Sequence, residues 1–155
     1  MRESAVGSRE SVGRYHRQNL LADFGEVGQQ KLGDATVLIV GCGALGCGVA
    51  DLLARAGVGT LRIVDRDVVE ETNLQRQTLF CQADADASRP KAIAAAERLR
   101  AVNPLIDVEP VVADFRAENA EDIAAGMSLL VDGLDNFDTR YLLNDLAVKH
   151  GLPWI

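Results

Sequence analysis

The run from Thr36 to Asp67, TVLIVGCGALGCGVADLLARAGVGTLRIVDRD, limits what this chain can fold into more than any other stretch. Val37-Leu38-Ile39-Val40 is short, apolar and β-branched, the pattern of a strand buried on both faces of a parallel sheet. Gly41, Gly43 and Gly46 follow at G-x-G-x-x-G spacing. Leu45, Val49, Leu52, Leu53 and Ala56 then share one face of a helix closed by Gly57 and Gly59. A second apolar strand, Leu61 to Val64, ends on Asp65. In such a βαβ unit the first glycine permits the tight turn and the second lets backbone approach a phosphate. The third lets helix and strand pack closely. The helix N-terminus offers free N–H groups to an anion, and Asp65 can accept hydrogen bonds from a ribose. Glycines at this spacing are common alone. With strand, helix and acid in register they predict a nucleotide-binding site, the nucleotide unnamed.

The remaining chain extends that unit. Residues 1–13 are polar with scattered Gly and Ser and read as a flexible leading segment, so that 14–155 form one domain. Arg14–Leu21 and Val27–Leu32 suggest short helices. Arg66–Gln77 is too polar and irregular for a strand and reads as a long functional loop with one helical turn, continued by Gln82–Ser88. Ser88 is placed to cap a helix with Pro90 in its first turn. Ala92, Ile93, Ala96, Leu99 and Val102 carry that helix to Asn103-Pro104. Val108–Val112 reads as a third strand, Glu118–Ala125 as a short helix and Leu129–Val131 as a fourth strand. Thr139–His150 reads as a final helix with Leu142, Leu143, Leu146 and Ala147 inward, and Leu152–Ile155 as the start of a fifth strand. The alternation predicts an α/β fold: a doubly wound, mostly parallel, Rossmann-like sheet with helices on both faces. Ligands of such sheets sit beyond the carboxyl ends of the strands. The glycine turn, Asp65 and Asp67, and Asp135 and Asn136 all fall there.

A chain of 155 residues buries roughly two-thirds of its unfolded surface, enough for one core. A net charge of −7 without a basic patch argues against nucleic acid or an anionic membrane as partner. No apolar run reaches membrane-spanning length, and MRESAVGSRE has no apolar signal core. Cys42, Cys47 and Cys81 contain no C-x-x-C pair, which argues against a disulfide framework and against a zinc site within this chain. The expected location is cytoplasmic. Cys42 and Cys47 read as small side chains filling a tight turn, although a helix N-terminus can make a thiol reactive.

A nicotinamide-dependent oxidoreductase would need the glycine turn and Asp65 but little else seen here. The rest of the polar inventory suits triphosphate chemistry, which asks for positioning and charge neutralisation. Arg76 and Lys91 supply cations, while Asn73 and Gln77 can position phosphate or ribose. Asp135 is the expected metal carboxylate, because Mg²⁺ keeps its waters and takes only one or two protein carboxylates.

The set R-Y-x-R-Q (14–18), G-x-G-x-L-G (41–46), D-x-D (65–67), N-L-Q-R-Q (73–77), R-P-K (89–91) and D-x-x-D-N (132–136) resembles the ThiF/MoeB/HesA adenylyltransferases, bacterial relatives of ubiquitin-activating enzymes. The resemblance spans nearly everything from Arg14 to Ile155, and its later motifs are far more specific than the glycine turn. It implies an enzyme that binds Mg-ATP and transfers AMP to the C-terminal carboxylate of a small ubiquitin-like sulfur carrier protein, releasing pyrophosphate. The pathway would be thiamine, molybdopterin or another carrier-dependent one. By the same resemblance Gly41 contacts the nucleotide, Asp65 the ribose, and Asn73 and Arg76 the ribose and phosphates. Lys91 reaches the phosphates, and Asp135 holds Mg²⁺ with Asn136 beside it. Arg17 matches an arginine donated across a homodimer interface.

The family continues into a second half with paired C-x-x-C zinc ligands, a crossover loop and the carrier-binding surface. This chain ends at Ile155, inside an expected strand, and so reads as a fragment without zinc ligands of its own. Cys42 and Cys47 depart from the family, which often has Ala or Gly and Ser there. Besides the adenylyltransferase and the oxidoreductase, a non-catalytic homodimeric scaffold that retains the nucleotide fold is the third reading.

Overall fold

The structure, a computed structural model, describes residues 13–155. The expected flexible leading segment lies, but for Gly13, outside the described residues. The helices α1 (His16–Asn19) and α2 (Gly25–Asp34) precede the first βαβ unit. That unit is β1 (Thr36–Val40), α3 (Ala44–Ala56) and β2 (Thr60–Val64). After a 3₁₀ turn at Glu71–Asn73 come α4 (Gln82–Asp86), α5 (Lys91–Val102), β3 (Asp107–Val111), α6 (Ala120–Ala124), β4 (Leu129–Asp132) and α7 (Phe137–His150).

The four strands lie in the order β3-β2-β1-β4, every pair parallel. Alternate side chains of each strand point to opposite faces. Val37 and Ile39 of β1 therefore join one core with Cys47, Ala50 and Ala54 of α3 and Ala92, Ala96 and Leu99 of α5. Leu38 and Val40 join the other, with Ile123 of α6 and Leu143 and Leu146 of α7. Helices thus cover both faces, as the alternation predicts. The chain runs β1, β2, β3 to one side, then crosses back to place β4 beside β1, so a crevice opens at the carboxyl ends between β1 and β4.

Three local expectations change. On α3, Leu45 and Leu52 are 60% and 67% exposed, and the buried stripe is Gly46, Cys47, Ala50 and Ala54. Close approach of helix to sheet favours the small side chains, so the leucines turn outward. Ser88 caps nothing: it sits at φ 46°, and α5 starts after Pro90 without a side-chain cap. Backbone pairing does that work instead. Lys91 N–H donates to the Asp67 carbonyl at 2.9 Å and Val69 N–H to the Arg89 carbonyl at 2.8 Å. Gln82–Asp86 is a helix rather than loop, because Asp84 closes its first turn on the Cys81 N–H at 3.0 Å and pairs with Arg89. At the chain end Trp154 makes a single parallel bridge to Leu130, the first rung of the expected fifth strand.

Candidate functional site

A cavity of about 950 Å³ occupies the carboxyl ends of the strands. Its floor is the glycine turn. Gly41 has φ 93°, open to glycine and costly for other residues, and donates its N–H to the Val64 carbonyl at 2.8 Å. A Cβ on Gly46 would stand 2.0 Å from the Gly41 carbonyl oxygen, so only glycine lets α3 start here. Gly43 lines the cavity, and a Cβ there would meet no atom within 4 Å but project into open space. It is the N-cap of α3 and supplies no side-chain cap, which leaves the N–H groups of Ala44 and Leu45 for a ligand.

Asp65, at the end of β2, holds this turn. Its Oδ2 accepts from the Cys42 N–H at 2.7 Å and its Oδ1 from the Asp67 N–H at 2.8 Å. Asp67 receives the Lys91 Nζ at 3.3 Å. Lys91 is 7% exposed, its stem packed at the start of α5 while its ammonium lines the cavity.

Asn73 and Gln77 are buried on the cavity wall. Asn73 Oδ1 accepts from the Glu70 N–H at 3.0 Å, which shapes the 3₁₀ turn. The Gln77 Oε1 is buried with no hydrogen-bond partner among the described residues. Arg76 is exposed on the same wall and donates to the Thr72 carbonyl at 3.0 Å. Opposite them, after β4, Asp135 and Asn136 line the cavity. Asn136 also caps α7 by accepting from the Thr139 N–H at 2.9 Å. Asp135 is exposed, and its carboxylate pairs with none of the described residues. Its neighbour Asp132 accepts from the Leu134 N–H at 2.8 Å and pairs with Arg140, a structural role.

Ten of the twelve expected site residues therefore line one cavity. Gly46 lies just beneath the turn. Arg17 lies elsewhere: its helix α1 is fastened by Tyr15 and Gln18 to the far ends of α3 and α5. The Gln18 amide donates to the Ala56 carbonyl at 3.1 Å, and Asn103 donates to the Tyr15 hydroxyl at 2.7 Å. Since α3 has 13 residues, that attachment lies about 20 Å from the glycine turn.

A further group was not anticipated. Asp114, Phe115 and Arg116 follow β3 and line the cavity, with Arg66 beside them. Arg116 donates to Asp114 at 2.7 Å and 2.9 Å, and Arg66 at 3.1 Å. The Arg116 hydrogen bond above all, with Arg66 adding to it, holds the Asp114 carboxyl below its ordinary value. The rule that ligands meet strand ends would have flagged this acid, as it did Asp65.

Among the described residues no cluster of three or more His, Cys, Asp or Glu is placed to hold a metal. Asp135 and Asp138, exposed carboxylates that pair with none of the described residues, line the same cavity as the uncapped start of α3, a donor set that suits a divalent ion keeping most of its waters.

The ThiF family model matches residues 15–155, and the chain belongs to the ThiF family. It is 49% identical over 144 residues to the sulfur carrier protein ThiS adenylyltransferase of Bacillus subtilis (strain 168), covering 93% of this chain and 43% of that protein. It is 45% identical over 148 residues to the sulfur carrier protein adenylyltransferase of Thermus thermophilus, covering 96% of this chain and 54% of that one. The chain thus spans about half the length, or less, of these curated relatives. Among solved structures, Escherichia coli tRNA N6-threonylcarbamoyladenosine dehydratase in complex with ATP superposes with a TM-score of 0.87 at 28% identity, over 95% of this chain and 59% of that one. No helix among the described residues is long and apolar enough to cross a membrane.

Proposed function

We propose that this chain is the nucleotide-binding part of an adenylyltransferase that uses Mg-ATP to transfer AMP to the C-terminal carboxylate of a small ubiquitin-like sulfur carrier protein, releasing pyrophosphate. One observation carries the reading. The uncapped start of α3, the cations Arg76 and Lys91 and the carboxylate of Asp135 line a single cavity.

The N–H groups after Gly43 cradle phosphate, and Asp65 binds ribose hydroxyls while holding the turn. Lys91 and Arg76 neutralise charge on the phosphates as it shifts towards the leaving pyrophosphate. Gln77 turns its buried, unpartnered oxygen to a hydroxyl donor of the nucleotide. Asp135 would hold Mg²⁺, which supplies further charge neutralisation when bound. The incoming carboxylate enters over Asp135 and Asn136, the exposed rim of the cavity. Arg17, too far from its own cavity, serves the site of a second copy, so the active species is a homodimer.

Calorimetric titration with Mg-ATP and with NAD⁺, with Asp135→Ala beside the parent, tests the reading. Saturable Mg-ATP binding that is lost in the variant, with no NAD⁺ signal, is the expected result. Binding of NAD⁺ alone would favour an oxidoreductase. Sedimentation of a monomer that still catalyses pyrophosphate exchange would remove the role of Arg17.

A further inference from the structure

Beneath the glycine turn the Sγ atoms of Cys42 and Cys47 lie 3.8 Å apart, both side chains fully buried. The Cys47 thiol also reaches the Cys42 carbonyl at 3.4 Å. Two alanines would fill nearly the same space without bringing two sulfurs into contact. We propose that Cys42 and Cys47 are an oxidative modification site, at which a disulfide closes between the two sulfurs and unseats the glycine turn.

A disulfide is about 2.05 Å long, so closure brings the sulfurs nearer by about 1.8 Å. Cys47 lies inside α3, its N–H bonded to the Gly43 carbonyl at 2.9 Å. Cys42 lies in the turn before the helix, held by its one N–H bond to Asp65. The movement therefore falls on Cys42, and the disulfide forms at the expense of the bond that aligns the turn. The modification site stands on the sulfur geometry alone. Its effect on nucleotide affinity rests on the proposed reading of the turn.

The two thiols are chemically unequal. The sulfur–sulfur hydrogen bond pushes the Cys42 thiol well up, with burial adding to it, and pulls the Cys47 thiol down. Lys91 favours the thiolate at both positions and Asp65 opposes it. Either sulfur can react first. The thiolate of one attacks one oxygen of hydrogen peroxide, the O–O bond breaks, and the departing hydroxide takes a proton to leave as water. The other sulfur then attacks the sulfenic sulfur. The S–O bond breaks and the second water leaves with the proton of the second thiol. Two thiols lose two electrons, and one peroxide becomes two waters. Because both sulfurs are buried, the reaction waits on opening of the turn, and a bound nucleotide slows it.

The test uses the full chain with Cys81→Ser, which removes the one exposed thiol, and hydrogen peroxide as probe. The expected result is loss of both thiols with a mass decrease of about 2 Da in the peptide holding Cys42 and Cys47. Backbone amides of residues 41–47 should exchange at least about tenfold faster, and Mg-ATP should bind at least about tenfold more weakly, both reversed by dithiothreitol. Cys47→Ser and, as a second variant, Cys42→Ala should show none of this. Oxidation to sulfinic acid without a disulfide, or a disulfide that leaves amide exchange unchanged, would overturn the proposal. If the reduced protein ignores Mg-ATP, the nucleotide reading fails, while mass and amide exchange still decide the disulfide.

Discussion

The carboxylate of Asp65 accepts a hydrogen bond from the backbone N–H of Cys42 at 2.7 Å. An acid at the end of β2 therefore does two things: it presents itself to the cavity and clamps the first residue after Gly41. Its other oxygen holds the Asp67 N–H, so glycine turn and β2 loop share one anchor.

Asp65→Ala should loosen the turn as well as remove a ribose contact. Hydrogen bonds to a charged group contribute about 1.5–3 kcal/mol. Mg-ATP affinity should fall roughly ten- to hundredfold, read by calorimetry, with faster amide exchange at Cys42. An effect on affinity without a change in exchange would assign Asp65 to the ligand alone.

Lys91→Met should separate binding from folding. The Lys91 stem is buried, but its partner Asp67 is exposed and stays hydrated when the ammonium is gone. Stability should change by less than about 1.5 kcal/mol, the usual cost of a volume-conserving swap, while Mg-ATP binding is lost. A collapse in thermal stability would make Lys91 a structural residue.

Gly46→Ala should fail for steric reasons. Its Cβ would lie 2.0 Å from the backbone oxygen of Gly41, and no rotamer relieves a clash with backbone. Overpacking of this kind costs about 1–3 kcal/mol, or more. Thermal denaturation should show a drop of about 2–4 °C per kcal/mol for a chain of this size.

Asp84 predicts a weakness to acid. Burial opposes its charge, but the Cys81 N–H and thiol and the Arg89 guanidinium prevail and hold its carboxyl below the ordinary value. A group depressed in the folded state stabilises above its unfolded pKa, about 3.9, and that contribution is lost as pH falls through the folded value. Asp84→Asn should lower stability by about 1–3 kcal/mol at neutral pH, with the difference shrinking below about pH 4. Urea titrations at pH 7 and pH 3 would show whether the gap closes.

Legibility in the sequence followed the range of the interactions. The βαβ unit was readable because glycine spacing, β-branched runs and a terminal acid are local signals. Leu45 and Leu52 were placed inward because helical periodicity counts apolar residues and cannot see that α3 sits too close to the sheet for leucines. Ser88 looked like a cap because nothing local reveals that Arg89–Lys91 pairs with Asp67–Val69, some twenty residues earlier. Arg66, Asp114 and Arg116 were missed because they meet only when β2 and β3 lie side by side.

By itself, the sequence determined a parallel α/β sheet with a phosphate-accommodating turn and named most of the polar groups around it, since strand alternation and crossover handedness leave few other arrangements. Only the tertiary structure decided which of those groups face one another and which bond the backbone instead. It set Asp65 on the Cys42 N–H, left Asp135 without a partner among the described residues, carried Arg17 to the opposite end of α3, and brought two buried sulfurs to 3.8 Å. Distances between elements follow from how closely helices pack on the sheet, which depends on contacts between residues far apart in the chain.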